Sequence, residues 1–125
     1  MTVEEFIAAE AAKPFAWADT DCTAMCDRWV RLRRDVSPIA AGLIIYHDRD
    51  TAIALLPRLP QIMNRGMRRA GLVKTAVPQA GDVGLVLFGS RIGPALHAGG
   101  HWITRHEDGF MAAPIENVWK AWEVR

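Results

Sequence analysis

Apolar positions follow two different periods along this chain. From Val3 to Gly71 they recur at helical spacing; from Val83 onward they come in short runs broken by turn residues. In "VEEFIAAEAA" (Val3–Ala12), Val3, Phe6, Ile7 and Ala11 share one helical face. Lys13-Pro14 ends that run, because a residue before proline is pushed out of the helical region. Phe15 and Trp17 lead into "ADTDC", where Asp19, Thr20 or Asp21 can accept the free amides of a new helix. Cys22, Met25, Cys26, Trp29 and Val30 follow at i, i+3, i+4, i+7 and i+8, a single apolar stripe. Arg31, Arg33 and Arg34 fall at the end of this helix, where its dipole favours positive charge.

"VSPIAAGLIIY" reads as a connector with a short apolar stretch. Asp48 or Asp50 caps "TAIALL", which Pro57 stops; Pro60 opens "QIMNRGMRRAG" in its first turn, and Gly71 closes it. The period then shortens. Strands are predicted over Val83–Phe88, Ala95–Ala98, His101–Thr104 and Phe110–Ala112, with turns at Gly99-Gly100 and Glu107-Asp108-Gly109. A short helical turn, "PIENVW", precedes "AWEVR", a closing edge strand. Helices first and a meander last predict an α+β fold, with N-terminal helices packed on a C-terminal antiparallel sheet in one domain over residues 1–125. Trp119 and Trp122 are expected in its core.

The 125 residues carry a formal net charge of +1, so no global field points to nucleic acid, and the arginine groups read as solvated helix ends. No apolar run approaches the roughly 18 residues of a membrane span. The N-terminus has Glu4 and Glu5 where an export signal would have bases, which places the chain in the cytoplasm when made.

Two cysteines on one helix do not suggest a disulfide framework. Cys26, one turn into the stripe, reads as core. Cys22 heads the helix, where the dipole and free N–H groups lower a thiol pKa while Asp19 and Asp21 oppose this; by pattern alone it reads equally as a small apolar residue at the head of the core stripe. A thiol nucleophile also needs a base held by a third group. His47 lies in a loop, His97 in an apolar strand, and His101 and His106 flank a hairpin strand. A zinc site drawing on both cysteines and two of His97, His101 and His106 is a weak pattern, since His97 and His101 straddle a Gly-Gly turn.

The order of these parts resembles the NlpC-type cell-wall peptidases, a compact branch of the papain-like cysteine peptidases. The matching pieces are "FAWADTDC" (Phe15–Cys22), "AGDVGLVLF" (Ala80–Phe88) and "PALHAGGHWI" (Pro94–Ile103). More closely, the chain resembles a small uncharacterised family of phage and prophage proteins related to that fold, through Gly93–Leu96, Asp108-Gly109 and Ala121-Trp122-Glu123-Val124 as well. The resemblance implies Cys22 as nucleophile and His97 as base, with Asp21 and Trp17 positioning the nucleophile and the oxyanion side; the third polar group falls on the next strand, where His106 is taken and Thr104 and Arg105 are also available, none a clean match. No metal and no cofactor is implied. Placing "ALHA" on the family's histidine step puts Ala95 where the base belongs and His97 two residues on, about 6–7 Å along the strand. A shift of two in that alignment makes His97 the base.

Two functions follow as expectations. One is a tail-associated thiol hydrolase acting on peptidoglycan peptides. The other is a papain-like domain that has lost its chemistry and serves as a structural or assembly component of a phage tail, in contact with other tail proteins and carried in the virion.

Overall fold

The computed structural model describes all residues 1–125. Five helices come first: α1 (Val3–Ala11), α2 (Cys22–Arg34), α3 (Pro38–Gly42), α4 (Arg49–Leu55) and α5 (Leu59–Arg69), with a 3-10 turn at Leu56–Arg58. Five strands follow: β1 (Val83–Phe88), β2 (Arg91–His97), β3 (Trp102–His106), β4 (Gly109–Ala113) and β5 (Val118–Trp122), with a 3-10 turn at Ile115–Asn117. The strands form one antiparallel sheet in the order β4-β3-β2-β1-β5. The α+β expectation therefore holds at the level of helices followed by an antiparallel sheet.

Local chemistry explains most of the helix boundaries. Thr2 and Glu5 make a reciprocal capping box on α1. Of the three candidate caps before α2, Asp21 is the one used. Asp48, not Asp50, caps α4. The "SPIAAG" stretch, expected as connector, folds into α3 because Ser37 caps it and Pro38 fits its first turn. Gly42 of α3 and Gly66 of α5 let these helices nearly touch: a Cβ on Gly66 would lie 2.6 Å from the Pro38 carbonyl oxygen.

The sheet has a helix face and a far face. On the helix face Met25, Cys26, Trp29 and Val30 of α2 pack with Met63 and Met67 of α5 against Val83, Leu85, Leu96, Trp122 and Val124. Cys26 is thus core, as its place on the stripe predicted. On the far face Val86, Ala95, Trp102, Ala113 and Ala121 form a smaller cluster. The Trp102 indole fits because β1 carries Gly84 beneath it, where a Cβ would fall 2.7 Å from the ring. Its Nε1–H donates to the Ile115 carbonyl at 3.1 Å.

Strand β2 begins four residues before the predicted start, at Arg91. Pro94 lies inside it because proline lacks only an N–H, and the ladder to β3 is confined to Leu96–Ile103 and His97–Trp102. The Pro94 carbonyl takes the Thr104 hydroxyl instead, at 2.8 Å. At the other side of the sheet, Trp119 corrects the core expectation. The β1–β5 register slips between Leu85 and Val86, which leaves Trp119 as an extra residue, half exposed and stacked against the Lys120 ammonium at 4.5 Å. Trp122 is buried as expected.

The two sheet edges differ. Outside β5, Thr75 N–H bonds to the Ala121 carbonyl and Glu123 N–H to the Val73 carbonyl, so a short extended segment covers the C-terminal end of that edge. The outer side of β4, "GFMAA", has no strand beside it and carries no charged residue. No helix is long and apolar enough to cross a membrane.

Candidate functional site

Between the end of α1 and the head of α2 the chain turns tightly, and the turn is held by its own side chains. The Thr20 hydroxyl donates to the Pro14 carbonyl and accepts the Ala16 N–H. Asp21 then does three things. Its carboxylate caps α2 by accepting the Ala24 N–H at 2.9 Å, accepts the Ala18 N–H, and accepts the Tyr46 hydroxyl at 2.6 Å. Cys22, the first residue of α2, is consequently fixed with its side chain at the wall of a cavity of about 210 Å³.

Asp21, Trp17, His106, Tyr46, Arg91 and Arg105 all reach that cavity. Trp17 meets Phe15 edge to face at 5.0 Å, which orders the approach segment. Of the five residues singled out by the resemblance, four are brought together: Cys22, Asp21, Trp17 and His106. His97 is not among them. Leu96 faces the helices, so its neighbours Ala95 and His97 face the other way. Ala95 belongs to the far-face cluster, and the His97 ring meets Trp102 edge on at 4.9 Å. The expected base is therefore on the far face of the sheet from Cys22, and no shift of two along the strand changes that face.

Both histidines also have their rings used by turns. His97 Nδ1 accepts the Gly99 N–H at 3.1 Å, and His106 Nδ1 accepts the Asp108 N–H at 3.3 Å. In each case an imidazole closes the start of a hairpin turn by taking the amide two residues on. A neutral ring that accepts at Nδ1 carries its proton at Nε2. His106 thus presents an N–H, not a lone pair, to the rest of its surroundings. A base in a thiol pair needs one ring nitrogen free to take the thiol proton while the other N–H is held by an acceptor; here the unprotonated nitrogen, Nδ1, is already taken by the Asp108 amide. His47 and His101 are exposed and stand away from the cavity.

The thiol is correspondingly unactivated. Burial pushes the Cys22 pKa up to about 11, the Asp21 charge adds to this, and the Thr23 and Thr104 hydroxyls only partly offset it. Burial outweighs the favourable end of the α2 dipole, and at neutral pH the group is S–H. His97 shifts the other way from its usual value: burial disfavours its cation, so its pKa is lowered, although Asp82 pulls it back in part.

Tyr46 was not legible in the sequence, and Arg105 and Asp82 were visible as residues but not in the roles they take. Tyr46, the chain's single tyrosine, reaches Asp21 from the end of an apolar run. Arg105 is buried and donates to the Glu10 and Lys13 carbonyls, joining β3 to the end of α1. Asp82, of the Gly-Asp pair in the resemblance, is fully buried. It accepts N–H groups from Gln79, Val124 and Arg125 and pairs with the Arg125 guanidinium, so it ties the entry of β1 to the residues that follow β5. No group of three or more His, Cys, Asp or Glu side chains converges as a metal site.

No curated protein and no solved structure matches the chain. A family model described as a domain of unknown function, DUF6950, matches residues 1–124, and the chain belongs to that family.

Proposed function

We propose that this protein is a papain-like, NlpC-type domain of phage or prophage origin that works without hydrolysis, as a structural or assembly component of a tail. The observation that carries this reading is geometric: His97 lies on the far face of the sheet from Cys22, and the Nδ1 of His106 is taken by the Asp108 amide, so no free base stands by a thiol whose pKa burial raises to about 11. A thiol nucleophile attacks as thiolate, so a group with that pKa is almost wholly inert at neutral pH. The fold's order of parts supports the papain-like assignment: a cysteine at the head of α2, a Gly-Asp pair entering β1, and a β2–β3 hairpin beside it.

Purified protein incubated with peptidoglycan sacculi should release no peptide fragments by mass spectrometry. Fragments released by the wild type and lost in Cys22→Ala would overturn the proposal. Particles encoded with this chain should also contain it at fixed stoichiometry, and its absence from purified particles would sink the tail role.

A second reading, a tail-borne cysteine hydrolase, is favoured by one observation. Cys22 and His106 share the wall of the same cavity, with the Thr104 hydroxyl beside the thiol. The sacculus experiment separates the two.

A further inference from the structure

The cavity that holds Cys22 is chemically mixed. Tyr46, Ile53, Leu55 and Leu56 line it with apolar groups, and Arg91 and Arg105 line it with cations. These cations lack counter-charges. Arg105 is only 6% exposed; its terminal nitrogens go to two main-chain carbonyls and its guanidinium lies over the Phe15 and Phe110 rings at 5.9 and 5.4 Å, but its Nε–H has no acceptor and no carboxylate pairs with it. Arg91 is exposed at the first position of β2 and makes no ion pair. The acids of the cavity are engaged elsewhere: Asp21 holds three donors, and Glu107 faces Arg49 at 3.5 Å. A buried cation without an anion is a costly arrangement unless something negative comes to it.

We propose that this cavity binds a carboxylate attached to an apolar group, the carboxylate against Arg105 and Arg91 and the apolar group against Ile53, Leu55 and Leu56. The inference rests on the papain-like reading of this cavity as the working site of the domain, and binding there is separable from cleavage. The same chemistry is supplied by the C-terminal residue of a peptide ending in an apolar side chain and by a small apolar acid.

The test is a titration of the full ¹⁵N-labelled chain, followed through its amide and arginine Nε–H resonances, with three probes: Ala-Ala-Leu, its C-terminal amide, and hexanoate. The free tripeptide should shift Cys22, Ile53 and Arg105 saturably. The amide should bind at least about 10-fold more weakly, because it lacks the charge-assisted bonds of the carboxylate. Arg91→Gln should weaken the tripeptide about 2- to 5-fold at an unchanged melting temperature, since Arg91 is an exposed partner. Hexanoate matching the tripeptide would support the site as one for small acids; weaker hexanoate would support it as one for peptide ends. Absence of saturable shifts, equal binding of the amide, or indifference to Arg91→Gln would overturn the inference. Cleavage of the tripeptide during the titration would defeat the non-hydrolytic reading and leave the binding site standing; no binding and no cleavage would do the reverse.

Discussion

The two ends of strand β2 have different chemistry. At its start, Arg91 is exposed, unpaired and at the rim of the Cys22 cavity. At its end, His97 is buried on the far face, against Trp102, with its ring committed to the Gly99 amide. A histidine in the right strand is therefore not a histidine in the right place. Strand direction decides which end meets the head of α2, and the two-residue period decides which face a side chain takes. The His97 end works as structure, and the Arg91 end is open to a ligand.

This contrast can be attacked from either end. Trp102→Ala should cost the most, about 3–5 kcal/mol by urea unfolding, because it empties the centre of the far-face cluster. Cys22 alkylation in the folded variant should keep the wild-type pH profile; a changed profile would show the two ends coupled. His97→Ala should cost about 1–2 kcal/mol through the lost ring contact and the freed Gly99 amide, again without altering Cys22 reactivity. Arg91→Gln should change stability by less than about 0.5 kcal/mol, as exposed substitutions usually do.

Two pH measurements sharpen the same contrast. Iodoacetamide labelling of Cys22 should rise with a midpoint near 11. Asp21→Asn, which keeps a helix cap but removes the adjacent charge, should lower that midpoint and leave it above the ordinary thiol value of 9.0, since burial is the larger cause. A midpoint at or below 9.0 in the wild type would contradict the inert thiol. His97 should titrate below 6.5 by NMR. Its pKa is lowered on folding, so below that point the unfolded chain takes up more protons than the folded one. Its contribution to stability is thus full above 6.5 and declines as pH falls through the folded value; a rise in stability over that range on its account would refute the burial assignment.

Much of the architecture was readable because it is local. The α2 stripe, the Asp21 cap and the helix-to-strand change near Val83 are written in consecutive residues. The start of β2 was missed because Gly93 and Pro94 read as breakers, and only a limited ladder to β3 makes proline tolerable there. The α3 turn was missed for a similar reason, its five residues being too few to show a period. In the candidate site, Cys22 and Asp21 were legible from their order. The role of Arg105 was not, because its partners Glu10 and Lys13 lie 95 and 92 positions earlier in the chain. The structural use of His97 and His106 did leave a signal: each stands two residues before an amide in a tight turn.

The unequal edges of the sheet set a ceiling on how copies of this chain could join. Strand addition needs a bare row of backbone groups, and only the β4 side is bare along its whole strand, since Val73–Thr75 occupies the Ala121–Glu123 end of the β5 side. Two molecules meeting β4 to β4 about a twofold axis would each use up their one full-length open row, so growth by β4 pairing stops at a pair.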